Sequence, residues 1–303
     1  MNGSAKPDYL DAVNRTEHQN ELLAQHKLSS YYPQGLLFTD QELQTMPAET
    51  AKLVREWFPT FYVRGFDYLQ YLFQQNIPFY LLLIGIIVSG GLFAKELAHQ
   101  RAHANWLRLQ GEGWGTQIAV QFLTIGLTTV EIVLLPLLLT TLVTGCLNGF
   151  GSLQFPVINV TYQNTLNSFA EDFTTSGQLI FHSIALLLLL IALVTAFNIV
   201  TALIAKNAWI TTTIVLLVTA SALIMPPIPW LPLSFFNVWK IASGTIAQST
   251  ALPEMQLASG IRVIMVWLLG LLAAAAIGSL NFSHHSSFKA SSKADAPENE
   301  RSY

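Results

Sequence analysis

Five runs of apolar residues, each close to the length of a membrane-spanning helix, occupy most of the chain after residue 77. A helix needs about 20 mostly apolar residues to cross a hydrocarbon core about 30 Å thick, because it rises about 1.5 Å per residue. The runs cover residues 78–94, 117–147, 178–205, 209–225 and 263–280. One such run can be a buried helix of a soluble protein, whereas five in one chain indicate an all-α, polytopic membrane protein with about five transmembrane helices.

The polar residues are distributed unevenly along the 303-residue chain. Only 11% of all residues are charged, compared with about 25% in soluble domains. Residues 1–77 carry nine acidic and six basic residues, so they form a separate polar region. We predict a polar helical segment outside the membrane at 1–77, a transmembrane domain at 78–282 and a disordered tail at 283–303. A net charge of −3 gives no indication of a nucleic-acid partner.

The basic residues of the connecting segments predict the orientation of the chain, since Lys and Arg concentrate in short cytoplasmic loops. These bases are Lys95, Arg101 and Arg108 after the first run, Lys206 after the third, and Lys289, Lys293 and Arg301 in the tail. The segment 148–176 contains neither Lys nor Arg. We therefore predict a multi-pass protein of the cell membrane with a cytoplasmic C-terminus and with segments 148–176 and 226–262 outside.

This orientation places the polar segment 1–77 outside the membrane. The first twenty residues lack the apolar stretch that a secretory signal requires. Two explanations remain open: either the first apolar run carries the segment across, or a sixth helix precedes Met1 in the complete gene product. We favour the second explanation.

The sequence contains none of the motifs that would indicate an enzyme. GxxxxGK[ST], HExxH and GxSxG are all missing, so we predict no nucleotide hydrolysis, no catalytic residues and no cofactor bound by this chain. The seven histidines are scattered along the chain, at His18, His26, His99, His103, His182, His284 and His285. His99 and His103 share a helical spacing but have no Glu in the metalloprotease arrangement, and we predict no metal site.

Three polar residues within the apolar runs are candidates for a functional role. Glu131 lies in the middle of the second run, and His182 and Asn198 lie in the third. A charged side chain at the bilayer centre is costly, so such residues usually face protein or water and often mark a functional site. Glu131 is either a coupling or gating residue, or a buried carboxyl bonded to polar groups such as Thr128, Thr129, His182 or Asn198.

Three passages resemble the type-2 ATP-binding-cassette (ABC) exporter permeases of Gram-positive bacteria. They are LFAKELAHQRAHANWLRLQGEGWGTQIAVQF, which is similar to the coupling region of that family, GSLQFPVINV, and LPLSFFNVWKIASG before the last apolar run. The likeness covers residues 60–282. The chain departs from the family in lacking the first helix, in reading GEGWGT at a turn that usually contains proline, and in having Gln121 near a common lysine position.

The resemblance implies a permease subunit that provides a substrate pathway and pairs with a separate ATPase subunit, in which ATP is used. It implies that the ATPase docks on the 95–115 loop, with Glu96, Arg101 and Arg108 as candidate contacts. It also implies a dimer of permease subunits within the lipid bilayer.

Two other classes of function remain open. The chain could be a non-transport sensor or immunity protein that binds a peptide through its outer segment. A neighbouring ATPase gene would favour the permease, whereas a neighbouring kinase or bacteriocin gene would favour the sensor. An intramembrane enzyme is disfavoured, because the sequence offers no pair of catalytic residues.

Overall fold

The computed structural model describes residues 64–98, 114–163 and 168–294, together with Glu21, Leu22, Ala24 and Gln25. The described chain is mostly helical. Its elements are α1 (Gly65–Gln74), α2 (Ile77–Ser89), α3 (Leu92–Ala98), α4 (Trp114–Asn148), β1 (Pro156–Gln163), β2 (Ser168–Thr175), α5 (Ser176–Ala205), α6 (Ala208–Ala220), α7 (Val238–Ala242), α8 (Thr245–Thr250) and α9 (Leu257–Ala294). Almost all of the polar segment 1–63, and most of the loop after α3, lie outside the described residues.

Four stretches are long and apolar enough to cross a membrane. They are Ile77–Leu97, Gly115–Asn148, Ser176–Ala205 and Leu257–Gly278. The chain is a multi-pass membrane protein. The last helix continues to Ala294, so it overlaps the segment 283–303 that we expected to form a tail.

The fifth expected span, 209–225, forms a shorter helix. Together with a short 3₁₀ turn, α6 covers Ala208–Leu223, which is below 18 residues. At about 1.5 Å per residue, it reaches at most about 26 Å, less than the roughly 30 Å of a bilayer core. The helix stops here because Pro226 and Pro227 follow, and proline supplies no backbone N–H to continue it. The prediction of five full-length spans is therefore corrected to four spans and one shorter apolar helix.

A β-hairpin corrects the prediction of an all-helical fold. Strands β1 and β2 pair antiparallel, with Pro156 opposite Thr175 and Gln163 opposite Ser168. The sequence of β1, PVINVTYQ, is rich in the β-branched residues that favour strands. The hairpin lies in segment 148–176, between the second and third spans, where we predicted no strands.

The hairpin is tied to the segment that precedes the last span. The amide of Val160 donates to the carbonyl oxygen of Ser243 over 2.8 Å. The next residue, Gly244, has a φ of 71°, a left-handed conformation that glycine adopts without strain. A Cβ atom at Gly244 would overlap the Val160 carbonyl oxygen. Gly244 therefore meets two requirements at once, a left-handed turn and a close approach of two backbones.

Backbone hydrogen bonds bring several connecting segments together at one end of the bundle. The amides of Gly65 and Phe66 donate to the carbonyl oxygens of Gly149 and Phe150, at 3.0 and 2.9 Å. Through these bonds and the Val160–Ser243 bond, the start of α1, the hairpin and the segment before α9 share this hairpin end. The loop charges predicted the same arrangement, with segments 1–77, 148–176 and 226–262 on one side of the membrane. The assignment of this end to the outside stays a prediction.

The core of the bundle is built around α5. Buried residues make up 61% of the most apolar part of this span, more than in any of the other three spans. Large aromatic side chains complete the packing near the hairpin end, where Phe73, Phe79 and Phe235 are fully buried. The ring of Phe79 packs edge to face against Phe236, with centroids 5.5 Å apart. The second and last spans lie at the periphery, since only 22% of each is buried.

Candidate functional site in the membrane-spanning bundle

The first span is broken in its second half. Helix α2 ends at Ser89, and α3 begins at Leu92, so Gly90 and Gly91 lie between two separate helices. Glycine has a low helix propensity, and Gly/Ser sequences are common sites of helix kinks. The span that we predicted over 78–94 lies within the apolar stretch Ile77–Leu97, but we did not predict the interruption. The Ser-Gly-Gly sequence was the signal for the break, and the hydropathy of the run concealed it.

Asn198 of α5 satisfies the backbone at this break. Its Nδ2 donates to the carbonyl oxygen of Gly90 over 3.0 Å, and the side chain is only 2% exposed. A backbone carbonyl oxygen at membrane depth that lacks a helical partner needs another partner within the protein or in water. Asn198 supplies that partner across the bundle, so this predicted candidate has a defined structural role.

A second polar contact joins the same span to α4. The hydroxyl oxygens of Ser89 and Thr129 lie 3.0 Å apart and are both buried. Each also lies within hydrogen-bonding distance of a carbonyl oxygen in its own helix, Gly85 and Ile125 respectively. Each hydroxyl has a single proton, so one donates to the other and the second donates into its own helix. The pair can exchange these roles without breaking the contact.

Two buried oxygen atoms in this region have no hydrogen-bond partner among the described residues. They are Oδ1 of Asn198 and Oγ1 of Thr211 in α6. We call the set Ser89, Gly90, Thr129, Asn198 and Thr211 the polar layer. Buried polar groups without partners are costly. The polar layer therefore contains two buried oxygens that can each accept a hydrogen bond.

Glu96, one of the three predicted docking residues, lies at the end of the bundle opposite the hairpin. Glu96 of α3 is exposed, and its carboxylate accepts a hydrogen bond from Nε2 of Gln121 in α4. Lys95 beside it is also exposed. The bond joins the two helices that flank the docking loop. The other two candidates, Arg101 and Arg108, lie outside the described residues.

Glu131 faces away from the bundle. Its side chain is exposed, and within the described part of the chain it makes no hydrogen bond or ion pair. The interpretation of Glu131 as a buried carboxyl bonded to polar neighbours is therefore wrong. Two of the polar groups expected to bond to Glu131 make other contacts. Thr129 contacts Ser89, and Asn198 bonds to Gly90. A charged residue at this depth costs at least about 2.5–3.5 kcal/mol on insertion scales.

His182 lies apart from the other two intramembrane candidates. It lines an open cavity of about 240 Å³ between β1, the first turns of α5 and the start of α9. Gln256 lines the same cavity, and its buried Nε2 has no partner among the described residues. Glu131, His182 and Asn198 thus occupy three different environments, and the structure does not bring them together.

Sequence reasoning did not select Asp67, a titratable group at the hairpin end. It lies in the first turn of α1 beside Gly151. Burial raises the pKa of the Asp67 carboxyl from 3.8 to about 6, and the charge of Arg64 offsets only part of this rise. An isolated Asp in a sequence gives no indication of its burial, which depends here on the packing of α1 against α4.

We expect the stability of the protein to fall as the pH rises from about 4 to about 6. The folded state binds the Asp67 proton more tightly than the unfolded state, so neutral Asp67 stabilises the fold and ionised Asp67 destabilises it. The effect is about 1–2 kcal/mol after solvent screening is allowed for. Thermal unfolding in detergent between pH 3.5 and 8 measures it. Asp67→Asn should be more stable at pH 7 and lose this pH dependence, and an unchanged profile would contradict the assignment.

No group of three or more His, Cys, Asp and Glu side chains in the described chain is placed to hold a metal ion. No family model, curated protein or solved structure matches the chain. The function is therefore argued from the geometry of the bundle and from the sequence passages quoted above.

Proposed function

We propose that the chain is the membrane-spanning permease subunit of an ATP-driven exporter. In this proposal the end of the bundle that carries Lys95, Glu96 and Lys206 faces the cytoplasm. A separate ATPase subunit docks on the 95–115 loop and supplies the hydrolysis of ATP. Two features support it: the likeness of residues 60–282 to exporter permeases, and the division of the first span into two helices.

The broken first span is the observation that carries the proposal. Helix α3 is only seven residues long, and its last turn leads directly into the docking loop. It is separated from α2 by Gly90 and Gly91, and it packs against α5 and α6. We infer that the interruption at the two glycines lets α3 shift relative to α2 when a partner moves the loop.

The polar layer provides the means for such a movement within the membrane. Displacement of α3 turns the backbone at Gly90, whose carbonyl oxygen is held by Asn198. The free oxygens of Asn198 and Thr211 and the exchangeable Ser89–Thr129 pair offer alternative hydrogen bonds during the movement. ATP-driven closure of the partner would thereby rearrange the spans and open a path for the exported molecule.

Replacing residues 96–110 with a Gly/Ser linker of equal length should abolish the complex with the ATPase encoded beside this gene. The replacement removes the docking surface, and we expect at least a tenfold loss of co-purified ATPase. The measurement is co-purification after co-expression, with ATP hydrolysis by the complex as a second readout. A control replaces residues 164–167 in the same way, because they connect the two strands in sequence and the strands lie at the hairpin end.

Two results would overturn the proposal. An undiminished complex after the 96–110 replacement would remove the docking role of the loop. A chromosomal neighbourhood without any ATPase gene, combined with no ATPase bound to the intact chain, would remove the permease function itself.

A further inference from the structure

The cavity that His182 lines, at the hairpin end of the bundle, has polar walls from three separate parts of the chain. Asn159 belongs to β1, and Gln256 immediately precedes α9. Gln178 and His182 lie four residues apart in the first two turns of α5, so they share one face of that helix. The cavity measures about 240 Å³, slightly below the roughly 300–1,000 Å³ of pockets that hold drug-sized ligands. Its size therefore suits a small ligand.

The polar side chains of this cavity have few hydrogen-bond partners in the described part of the chain. The amide nitrogen of Gln256 is buried and makes no hydrogen bond there. Oε1 of Gln178 accepts a bond from the Thr174 hydroxyl over 2.7 Å, which leaves Nε2 of Gln178 as the group available to a ligand. The side chains of Asn159 and His182 are partly buried and make no hydrogen bond within the described residues. A buried donor without a partner is costly, so an acceptor group of a ligand would offset a cost that the free protein carries.

The described lining of the cavity carries no acidic side chain and no Lys or Arg. His182 is the one titratable side chain in this lining. Removing a charged group from water is costly unless an opposite charge or a metal ion compensates it. The walls therefore favour an uncharged ligand over a carboxylate or an ammonium ion.

The remaining lining is aliphatic, and it defines the other half of the ligand. Leu179, Ile241 and Leu257 lie beside the three carboxamides. A carboxamide offers N–H donors next to a C=O acceptor, so the group that pairs with both is another amide. We propose that this cavity binds a small uncharged ligand that carries an amide group on an aliphatic body. The inference is independent of the ATPase partner and of the direction of transport.

A ligand at this place would connect segments that are distant in the sequence. The walls of the cavity also include Val160 and Gly244, whose backbones approach each other closely. The ligand would therefore contact the hairpin, α5 and the segment before α9 at once. These contacts exist only in the folded chain, so a bound ligand raises the unfolding temperature. Thermal unfolding thus measures occupancy of the cavity.

N-acetyl-leucinamide is a suitable probe, because it is uncharged and joins two amide groups to an aliphatic side chain. With about twelve non-hydrogen atoms, it should bind with a dissociation constant on the order of 1 mM. At about 20 mM it should raise the unfolding temperature of the full chain in detergent by about 3–6 °C. N-acetyl-leucine and leucinamide carry one charge each and should bind at least about tenfold more weakly.

Two substitutions in the cavity test the site without depending on one variant. Gln256→Met keeps the size of the side chain and removes its amide, so affinity for the probe should fall about fivefold or more. The free variant should be at least as stable as the original chain, because a buried donor without a partner is lost. Ala258→Trp fills the cavity from an exposed position of its lining and should abolish the effect of the probe. The matched control is Gln248→Met at the same end, since Gln248 bonds to Glu171 and does not line the cavity.

The outcomes are decisive in either direction. A rise in unfolding temperature that persists in Gln248→Met and is reduced in both cavity variants supports the proposal. No rise at about 50 mM probe would mean that the cavity holds only water, and would overturn it. Equal effects of the three probes, or unchanged affinity in either cavity variant, would overturn it as well. The measurement uses this chain without an ATPase, so failure of the proposed function is distinguished from failure of the binding site.

Discussion

Replacing Gly244 with alanine should destabilise the protein by about 3 kcal/mol or more. A left-handed conformation costs an L-residue roughly 1–2 kcal/mol, and the added methyl group would overlap the carbonyl oxygen of Val160. Relief of such an overlap requires backbone shifts that typically cost about 1–3 kcal/mol. The shift would also break the bond from Val160 to Ser243, so the hairpin would detach from the segment before α9. Thermal unfolding in detergent and limited proteolysis of the hairpin measure both effects.

Gly115→Ala is the matched control for this experiment. Gly115 lies in the first turn of α4, where nothing lies within 4 Å of an added Cβ. Alanine in a helix is favoured over glycine by about 0.5–1 kcal/mol, so this variant should be neutral or slightly more stable. Equal behaviour of the two variants would show that the close approach at Gly244 does not constrain the fold.

Replacing Asn198 with alanine should cost about 2–3 kcal/mol and, under the proposed permease function, should impair export. The change leaves the Gly90 carbonyl oxygen without its partner at membrane depth, which costs about 1–3 kcal/mol. It also leaves a small cavity, which destabilises the fold further. Removal of the unpaired Oδ1 offsets part of this loss of stability. The free energy of unfolding in detergent measures the stability, and export by reconstituted complexes measures the function.

The variant Thr201→Ala is a control that distinguishes loss of the Asn198–Gly90 bond from a general destabilisation of α5. Thr201 lies one turn further along the helix, and its hydroxyl donates to the carbonyl oxygen of Phe197 in the same helix. Loss of this local bond should cost less than about 1 kcal/mol. If Asn198→Ala had no larger effect than Thr201→Ala, the bond to Gly90 would have no special importance for the first span.

The membrane class and the grouping of the loops could be predicted from the sequence because they depend on local properties. Run length predicts spanning helices, and the positions of Lys95 and Lys206 predict which connections share an end. The hairpin could not be predicted in the same way. Its strands, Pro156–Gln163 and Ser168–Thr175, are stabilised by each other and by Ser243, far along the chain. The short length of α6 could have been predicted from the sequence, because Pro226 and Pro227 follow it.

The candidate site was predictable only in part, for a physical reason. Helices α4 and α5 carry apolar side chains on nearly all sides. The periodicity of their sequences therefore does not reveal which side faces the bundle. The sequence therefore identified Glu131 and Asn198 as unusual but did not show that Asn198 faces the bundle while Glu131 faces away from it. The partner of Asn198 lies 108 residues away, at a break concealed within an apolar run.

The two ends of the bundle are connected by different kinds of bond, and this difference has a mechanical consequence. At the hairpin end, main-chain bonds join α1 to the residues after α4, and β1 to Ser243. At the opposite end, α3 meets α4 through the Glu96–Gln121 bond and through an apolar cluster, in which Phe93, Ala94 and Leu97 lie with Ile118 and Ile125. Side-chain contacts yield to small rotations, whereas paired main chains resist them. A change at α3 therefore disturbs side-chain contacts, whereas a change at the hairpin end has to break paired main chains.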